Sequence, residues 1–214
     1  MEWCQVQRSS STREQWPKDR NSQGSVLVGS NWVFFGGANE CEGPMDDFWL
    51  FDLEKMAWHD IKANGDDNPC AREMHTLCCD AENKCVYLLG GRRHDGEVCQ
   101  DFWIFDFATY SWTELDAQPP SQRCAHTAIF NTTSRSIDVI GGWDGKGVIF
   151  DDCISYNIGS GDWTTTSIGE AEEQAEFSPR FAHCSCLLST GQTLIAGGVN
   201  VASDFSHVCI IERN

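Results

Sequence analysis

Short runs of β-branched and aromatic residues alternate along this chain with clusters of Asp, Asn, Ser, Thr and Gly. The runs WVFF from Trp32, VYLL from Val86 and IDVI from Ile137 each end on a glycine pair, and DFWLFD from Asp47, DFWIFD from Asp101 and DCISYN from Asp152 follow them. Apolar runs this short, bounded by turn residues, predict β-strands, and no 3.6-residue period competes with them. A further strand precedes each pair and opens with Arg-x-x-His, at Arg72 and His75, Arg123 and His126, and Arg180 and His183. Segments 80–84, 131–135 and 189–192 carry turn chemistry between the first two strands, and 159–162 between the last two.

The same marks recur at a fixed interval. Glycine pairs stand at Gly36 and Gly37, Gly90 and Gly91, Gly141 and Gly142, and Gly197 and Gly198, at steps of 54, 51 and 56 residues. In the first three units an Asp lies 11 residues after the first glycine (Asp47, Asp101, Asp152) and a Trp lies 22 after it (Trp58, Trp112, Trp163). A period near 50 is one supersecondary unit repeated. Each unit reads as a meander of strands a, b, c and d, with the Trp on d, and four-stranded units repeated about an axis make a β-propeller. The expectation is an all-β chain forming a single domain over 1–214, with antiparallel blades at about 24–62, 72–116, 123–167 and 180–211. The last unit shows no d strand. Trp3 precedes Arg20 by 17 residues, as Trp163 precedes Arg180, so 2–7 is expected to supply that strand. A closed four-blade ring, a fragment of a larger ring and an oligomeric assembly all fit this arithmetic.

With its glycine pair after strand b, DFW-[LI]-FD on strand c and a Trp 22 residues on, the chain resembles the Kelch-repeat β-propellers from about residue 24 to 211. The resemblance implies the fold, with five to seven blades usual. It implies function more loosely, because that family hosts scaffolds, substrate receptors of ubiquitin ligases and a few enzymes.

Charge and composition narrow the partners. The chain has 15 Lys+Arg against 32 Asp+Glu, a net charge of −17, which repels phosphate and argues against nucleic acid and anionic membranes as partners. The first twenty residues hold no signal-like apolar core and no run approaches a membrane span, so a cytoplasmic or nuclear protein is expected. Twelve cysteines without a C-x-x-C pair suit a reducing compartment, in which the sequon at Asn131 carries no glycan.

The repeat also sorts residues by role. The paired glycines and Trp58, Trp112 and Trp163 are expected to be structural, the tryptophans between blades. Cys78 and Cys186 occupy the place of Ile129, and Cys153 that of Phe48 and Phe102, so all three stand in for hydrophobes. Cys41 and Cys99 fall in b–c loops, where exposure is expected. In an antiparallel meander the d–a and b–c connections emerge together, and the long loops 38–46, 92–100 and 143–151 put a binding surface on that face. Arg20, Arg72, Arg123 and Arg180 stand there once per blade, with Arg92, Arg93 and Trp143 nearby, as candidate contacts to a partner. The Kelch resemblance implies that such arginines hold acidic peptides or carboxylates. The competing role is pairing with the periodic Asp47, Asp101, Asp152 and Asp204. His75, His126 and His183 are expected near the axis as hydrogen-bonding groups rather than metal ligands. Segment 170–176 reads as an acidic loop and Ser9 to Thr12 as a polar linker.

No nucleophile elbow, phosphate loop, H-E-x-x-H or dinucleotide fingerprint occurs, and no catalytic residue, metal or cofactor is expected. Kelch-like copper oxidases imply a Tyr–Cys cross-link, but Tyr87, Tyr110 and Tyr156 all have places in the repeat. Plant specifier proteins imply Glu-x3-Asp-x3-His; here Glu97 and Asp101 are followed by Phe105 in place of the histidine. The expected function is a non-enzymatic interaction module, scaffold or adaptor, binding a protein or peptide on the loop face. A sugar-processing enzyme of the mutarotase or oxidase type, or part of a ubiquitin-ligase receptor, is the alternative.

Overall fold

The computed structural model describes residues 16–168 and 177–211, and every regular element among them is a β-strand. The expected strand at 2–7, the linker at Ser9 to Thr12 and the loop 170–176 lie outside the described residues. No helix among the described residues is long and apolar enough to cross a membrane.

Four antiparallel sheets form the blades of a β-propeller. Blade 1 contains β1 (Gly24–Val28) and β2 (Asn31–Phe35), then, beyond a two-residue ribbon of β3 (Ala38–Asn39) and β4 (Gly43–Pro44), β5 (Phe48–Asp52) and β6 (Ala57–Ile61). Blade 2 contains β7 (Thr76–Asp80), β8 (Cys85–Leu89), β9 (Phe102–Asp106) and β10 (Ser111–Glu114). Blade 3 is built from β11 (Thr127–Asn131), β12 (Ser136–Ile140), β13 (Asp152–Asn157) and β14 (Trp163–Ser167). Blade 4 has three strands among the described residues, β15 (Phe181–Leu187), β16 (Thr193–Val199) and β17 (Val208–Ile211). The a–b turns close on their own side chains. Asp80 Oδ1 accepts the N–H groups of Glu82 and Asn83, and Asn131 Oδ1 those of Thr133 and Ser134.

Because strand side chains alternate, each blade carries an apolar layer on both sides. Val33, Phe35, Phe48 and Ile61 of blade 1 meet Leu77, Val86, Leu88, Phe105 and Trp112 of blade 2. Cys78, Tyr87, Leu89 and Phe102 of blade 2 then meet Ile137, Val139, Ile154 and Tyr156 of blade 3. Trp112 and Trp163 are inter-blade anchors: Trp112 lies 5.3 Å from the Phe48 ring and Trp163 lies 5.5 Å from Phe102. Trp58 differs, for it clusters with Trp16, Trp32, Phe34 and Phe51 on the side of blade 1 turned away from blade 2.

The glycine pair and Arg-x-x-His form one fastening. The amides of Gly37, Gly91 and Gly142 donate to the carbonyls of Arg72, Arg123 and Arg180, each in the next blade, at 2.9 to 3.0 Å. A Cβ on Gly90 would lie 2.3 Å from the Arg123 carbonyl oxygen and 2.8 Å from His126 Cε1, and one on Gly141 would lie 2.6 Å from Arg180 O and 2.9 Å from His183 Cε1. These glycines also have φ of +64° and +59°. The first glycine thus makes room for the next blade's arginine and histidine, and the strand a histidine in turn packs on the second glycine of its own blade.

Blade 4 retains its half of this fastening without a counterpart from blade 1 among the described residues. A Cβ on Gly197 would meet nothing nearer than Phe205 O at 3.8 Å. The inner strands pack β1 on β7, β7 on β11 and β11 on β15, and the series does not return from β15 to β1 with like contact. Cys184, Cys186, Val208 and Ile210 are correspondingly exposed, the last two at 58% and 55%. This corrects the expectation for Cys186, which holds a core position in the repeat but lies on an uncovered layer. Gly141→Ala is expected to cost about 2 to 4 kcal/mol, from left-handed strain plus displacement of a packed carbonyl. Gly197→Ala should cost only the strain, about 1 kcal/mol. Urea unfolding of the two variants gives the comparison, and equal losses would mean that the Gly197 pocket is filled.

Candidate functional site

The candidate face is built from the d–a and b–c connections, and the arginines that sequence placed there turn out to be its foundations. Arg72 grips Asp101 with two parallel hydrogen bonds of 2.6 Å and gives a third, of 3.0 Å, to Gly90 O. Asp101 also accepts the Trp103 indole N–H at 2.7 Å. Arg20 repeats the arrangement with Asp47 and Gly36 O, and Arg123 with Asp152 and Gly141 O. Burial pushes the Asp101 carboxyl up, but Arg72 and the indole outweigh it and hold the group below the ordinary carboxylate value. The side chains of Arg72 and Arg123 are 0% exposed and that of Arg20 is 4%.

Of the two roles open to these arginines, the structure places them in pairing, and their guanidinium groups offer no surface to a partner. Each pair lies within one blade; it is the arginine carbonyl that reaches the preceding blade. Arg180 departs from the expected pattern. It does not hold Asp204, which is exposed; its Nη2 lies 3.1 Å from His207 Nε2, and the rings of Phe177 and Phe205 flank it at 4.6 and 4.1 Å. Only seven residues separate Asp204 from Gly197, so strand c of this blade begins with Val208 where the other blades have Phe or Cys after their Asp.

The three histidines line the blade junctions. His75 Nε2 accepts the Gly24 amide at 3.2 Å, while His126 and His183 share hydrogen bonds of 2.9 Å with Thr76 and Thr127 of the preceding blades. All are buried, and burial is the main cause that lowers His75 to about 3, His183 to about 4 and His126 well below the ordinary imidazole value.

What varies between blades lies one residue after each glycine pair. Ala38, Arg92, Trp143 and Val199 are equivalent, and the first three make backbone bridges to Asn21, Glu73 and Cys124 of the d–a connections. Their side chains have nothing in common. Arg92 is partly exposed and pairs with Glu73 at 2.6 Å, and the half-buried Trp143 ring lies 6.3 Å from the Phe181 ring. Arg93 is exposed and pairs with Asp95 at 2.9 Å. Glu73 and Phe181 were not singled out from sequence, although each stands one residue after a repeat arginine. Around this shelf Glu40, Glu42, Asp66, Asp67 and Glu97 face solvent, and the arginines expected as contacts on this face, Arg180 apart, are paired with carboxylates of the chain itself.

Two further expectations are settled here. Cys41 is exposed, but Cys99 is buried, because its loop folds back so that the Cys99 amide donates to Gly91 O at 2.8 Å. Phe105, at the place of the specifier histidine, is 0% exposed and packs 4.9 Å from Phe48, while Asp101 is occupied by Arg72. That position belongs to the core.

Comparison with known proteins agrees with this architecture. The family model of the KLHDC2/KLHL20/DRC7 Kelch-repeats domain matches residues 22–212. Acyl-CoA-binding domain-containing protein 5 of Arabidopsis thaliana is 30% identical over 132 residues, covering 61% of this chain and 20% of that protein. An F-box/kelch-repeat protein of the same plant is 26% identical over 205 residues, covering 85% and 41%. An N-(sulfonatooxy)prop-2-enimidothioate sulfolyase of Thlaspi arvense is 29% identical over 172 residues, covering 76% and 47%. The chain spans less than half the length of these curated relatives.

Proposed function

The chain belongs to the Kelch-repeat proteins, and from that premise we propose that it is a non-enzymatic interaction module that binds a protein or peptide on its d–a and b–c loop face. The observation that carries this reading is the contrast between two kinds of position. Arginine and glycine recur in all four blades and the clasping aspartate in the first three because the fold uses them, whereas Ala38, Arg92, Trp143 and Val199 hold one backbone site with four different side chains. Variation at a fixed backbone site is what a surface that reads a partner requires, and Trp and Arg are the side chains that most often dominate binding energy. Arg92, Arg93 and Trp143, with Phe181 beside them, form the contact set. Arg20, Arg72, Arg123 and Arg180 support it from below. With Glu40, Glu42, Asp66 and Asp67 at the rim, a neutral or basic segment suits the face better than an acidic one.

The test is quantitative affinity capture from cell extract with the wild-type chain and with Trp143→Ala/Arg92→Ala. The variant is expected to melt within a few degrees of wild type and to lose at least tenfold of a specific partner, as removal of a hot spot does. Undiminished capture by the folded variant would refute this surface.

A further inference from the structure

Blade 2 differs from the others in the two positions that flank its arginine clasp. The residue two before the repeat arginine is Lys18 in blade 1, Ser121 in blade 3 and Ser178 in blade 4, but Cys70 in blade 2. The residue nine after the first glycine is Met45 in blade 1 and Phe150 in blade 3, but Cys99 in blade 2. Neither position needs sulfur for the fold. Yet here both carry it, and both stand at one clasp: Arg72 Nη2 donates to Cys70 Sγ at 3.1 Å and to Asp101, two residues after Cys99. In blade 3 the occupants of the same two positions, Ser121 and Phe150, both lie against Arg123. The two thiols accordingly shift each other's ionisation. Cys70 is exposed on the d–a connection, and Cys99 is buried behind it.

We propose that Cys70 and Cys99 form a redox-active dithiol, with Cys70 the peroxide-sensitive thiolate and Cys99 the resolving thiol. The charged neighbours are Arg72, which favours the Cys70 thiolate, and Asp101, which opposes it but is itself neutralised by Arg72. The Cys99 thiol, outweighing partial burial and aided by Arg72, brings the Cys70 thiol down to about 6, while Cys99 is pushed far up and stays protonated. A thiolate beside a guanidinium and within reach of a second thiol is the arrangement that redox-sensing cysteines use.

The chemistry balances with hydrogen peroxide as oxidant. The Cys70 thiolate attacks one peroxide oxygen, the S–O bond forms as O–O breaks, and the departing hydroxide takes a proton to become water. Sulfur is oxidised by two electrons and peroxide is reduced. Cys99 then loses its proton and attacks the Cys70 sulfenic sulfur. The S–S bond forms, the S–OH bond breaks, and the hydroxide leaves with that proton as a second water. This inference does not depend on what the loop face binds.

The test measures iodoacetamide alkylation of Cys70 by peptide mass spectrometry between pH 5 and 9, in the folded chain and in urea. The folded rate should level off above about pH 7. The urea rate should climb roughly tenfold per pH unit until about pH 8.5, the ordinary range of a free thiol. Hydrogen peroxide should then join Cys70 to Cys99 in the wild-type chain, whereas Cys99→Ser should instead accumulate a dimedone-trapped sulfenic acid at Cys70. A folded rate that climbs like the urea rate, or peroxide treatment that yields neither the linked pair nor the adduct, would overturn the proposal.

Discussion

Acidification from pH 7 to about 4.5 is expected to unfold this protein, before most of its carboxylates are neutralised. His75 and His183 are held neutral at about 3 and about 4, and His126 is lowered too, in each case chiefly by burial. The unfolded chain carries ordinary imidazoles near 6.5, so between that value and the folded values the unfolded state binds more protons. Stability is therefore fully present above about pH 6.5 and falls as pH drops through the window down to about 3. Each unit of difference is worth about 1.4 kcal/mol, so His75 alone accounts for a loss on the order of 4 kcal/mol by pH 3. Three such groups compete with a total stability of about 5 to 15 kcal/mol. The paired Asp47 and Asp101 act in a separate, lower window, because their lowered carboxyls keep stability until pH falls below the ordinary carboxylate value. Melting temperature measured from pH 7.5 to 4 checks this. His126→Gln, which installs the residue that Gln23 supplies at the equivalent place in blade 1, should flatten the slope. A stability unchanged between pH 7 and 5 would show that the imidazoles do not resist protonation.

Arg123→Ala is expected to cost about 3 to 5 kcal/mol, the loss typical when one partner of a buried ion pair is removed. The guanidinium is 0% exposed, and its hydrogen bonds go to both Asp152 oxygens and to Gly141 O, the residue before the glycine that fastens blade 3 to blade 4. Its removal strands the Asp152 carboxylate and frees a carbonyl at the junction. Arg123→Lys should recover little, since an ammonium cannot reproduce the planar fork. By contrast, Arg93→Ala removes an exposed pair half open to solvent and should shift stability by less than about 0.5 kcal/mol. Urea unfolding of the three variants measures these differences. If Arg123→Ala were as mild as Arg93→Ala, Arg123 would be free for a ligand and not committed to the fold.

Strand placement was legible because the repeat states it three times: short β-branched and aromatic runs end on a glycine pair or a turn cluster in each unit, and none is long enough for a helix. The role of the arginines was not legible in the same way. Periodic Arg and Asp are equally compatible with one clasp per blade and with a ring of free cations, and only side-chain burial separates them. Arg180 did carry a sign, since the interval from Gly197 to Asp204 is four residues short of the others. The exposure of Cys186 could not be read from its register, because a core position is buried only when another blade covers it. Cys99 misled for the opposite reason, as loop membership says nothing of a loop that folds back on the glycine pair. The variable position after each glycine pair was visible in the sequence, but only the bridges to Asn21, Glu73 and Cys124 bring its occupants onto one shelf.

The central claim is that successive blades are fastened through the second glycine's amide and the next blade's arginine carbonyl, and that no described residue fills this fastening on blade 4. Amide hydrogen exchange of the folded chain, followed by NMR at single glycines, tests it most directly. The amides of Gly91 and Gly142 should exchange only through large-scale opening, whereas Gly198, which has no such bond to Arg20 among the described residues, should exchange orders of magnitude faster. Protection of Gly198 equal to that of Gly142 would contradict the account and place a further blade edge against β15.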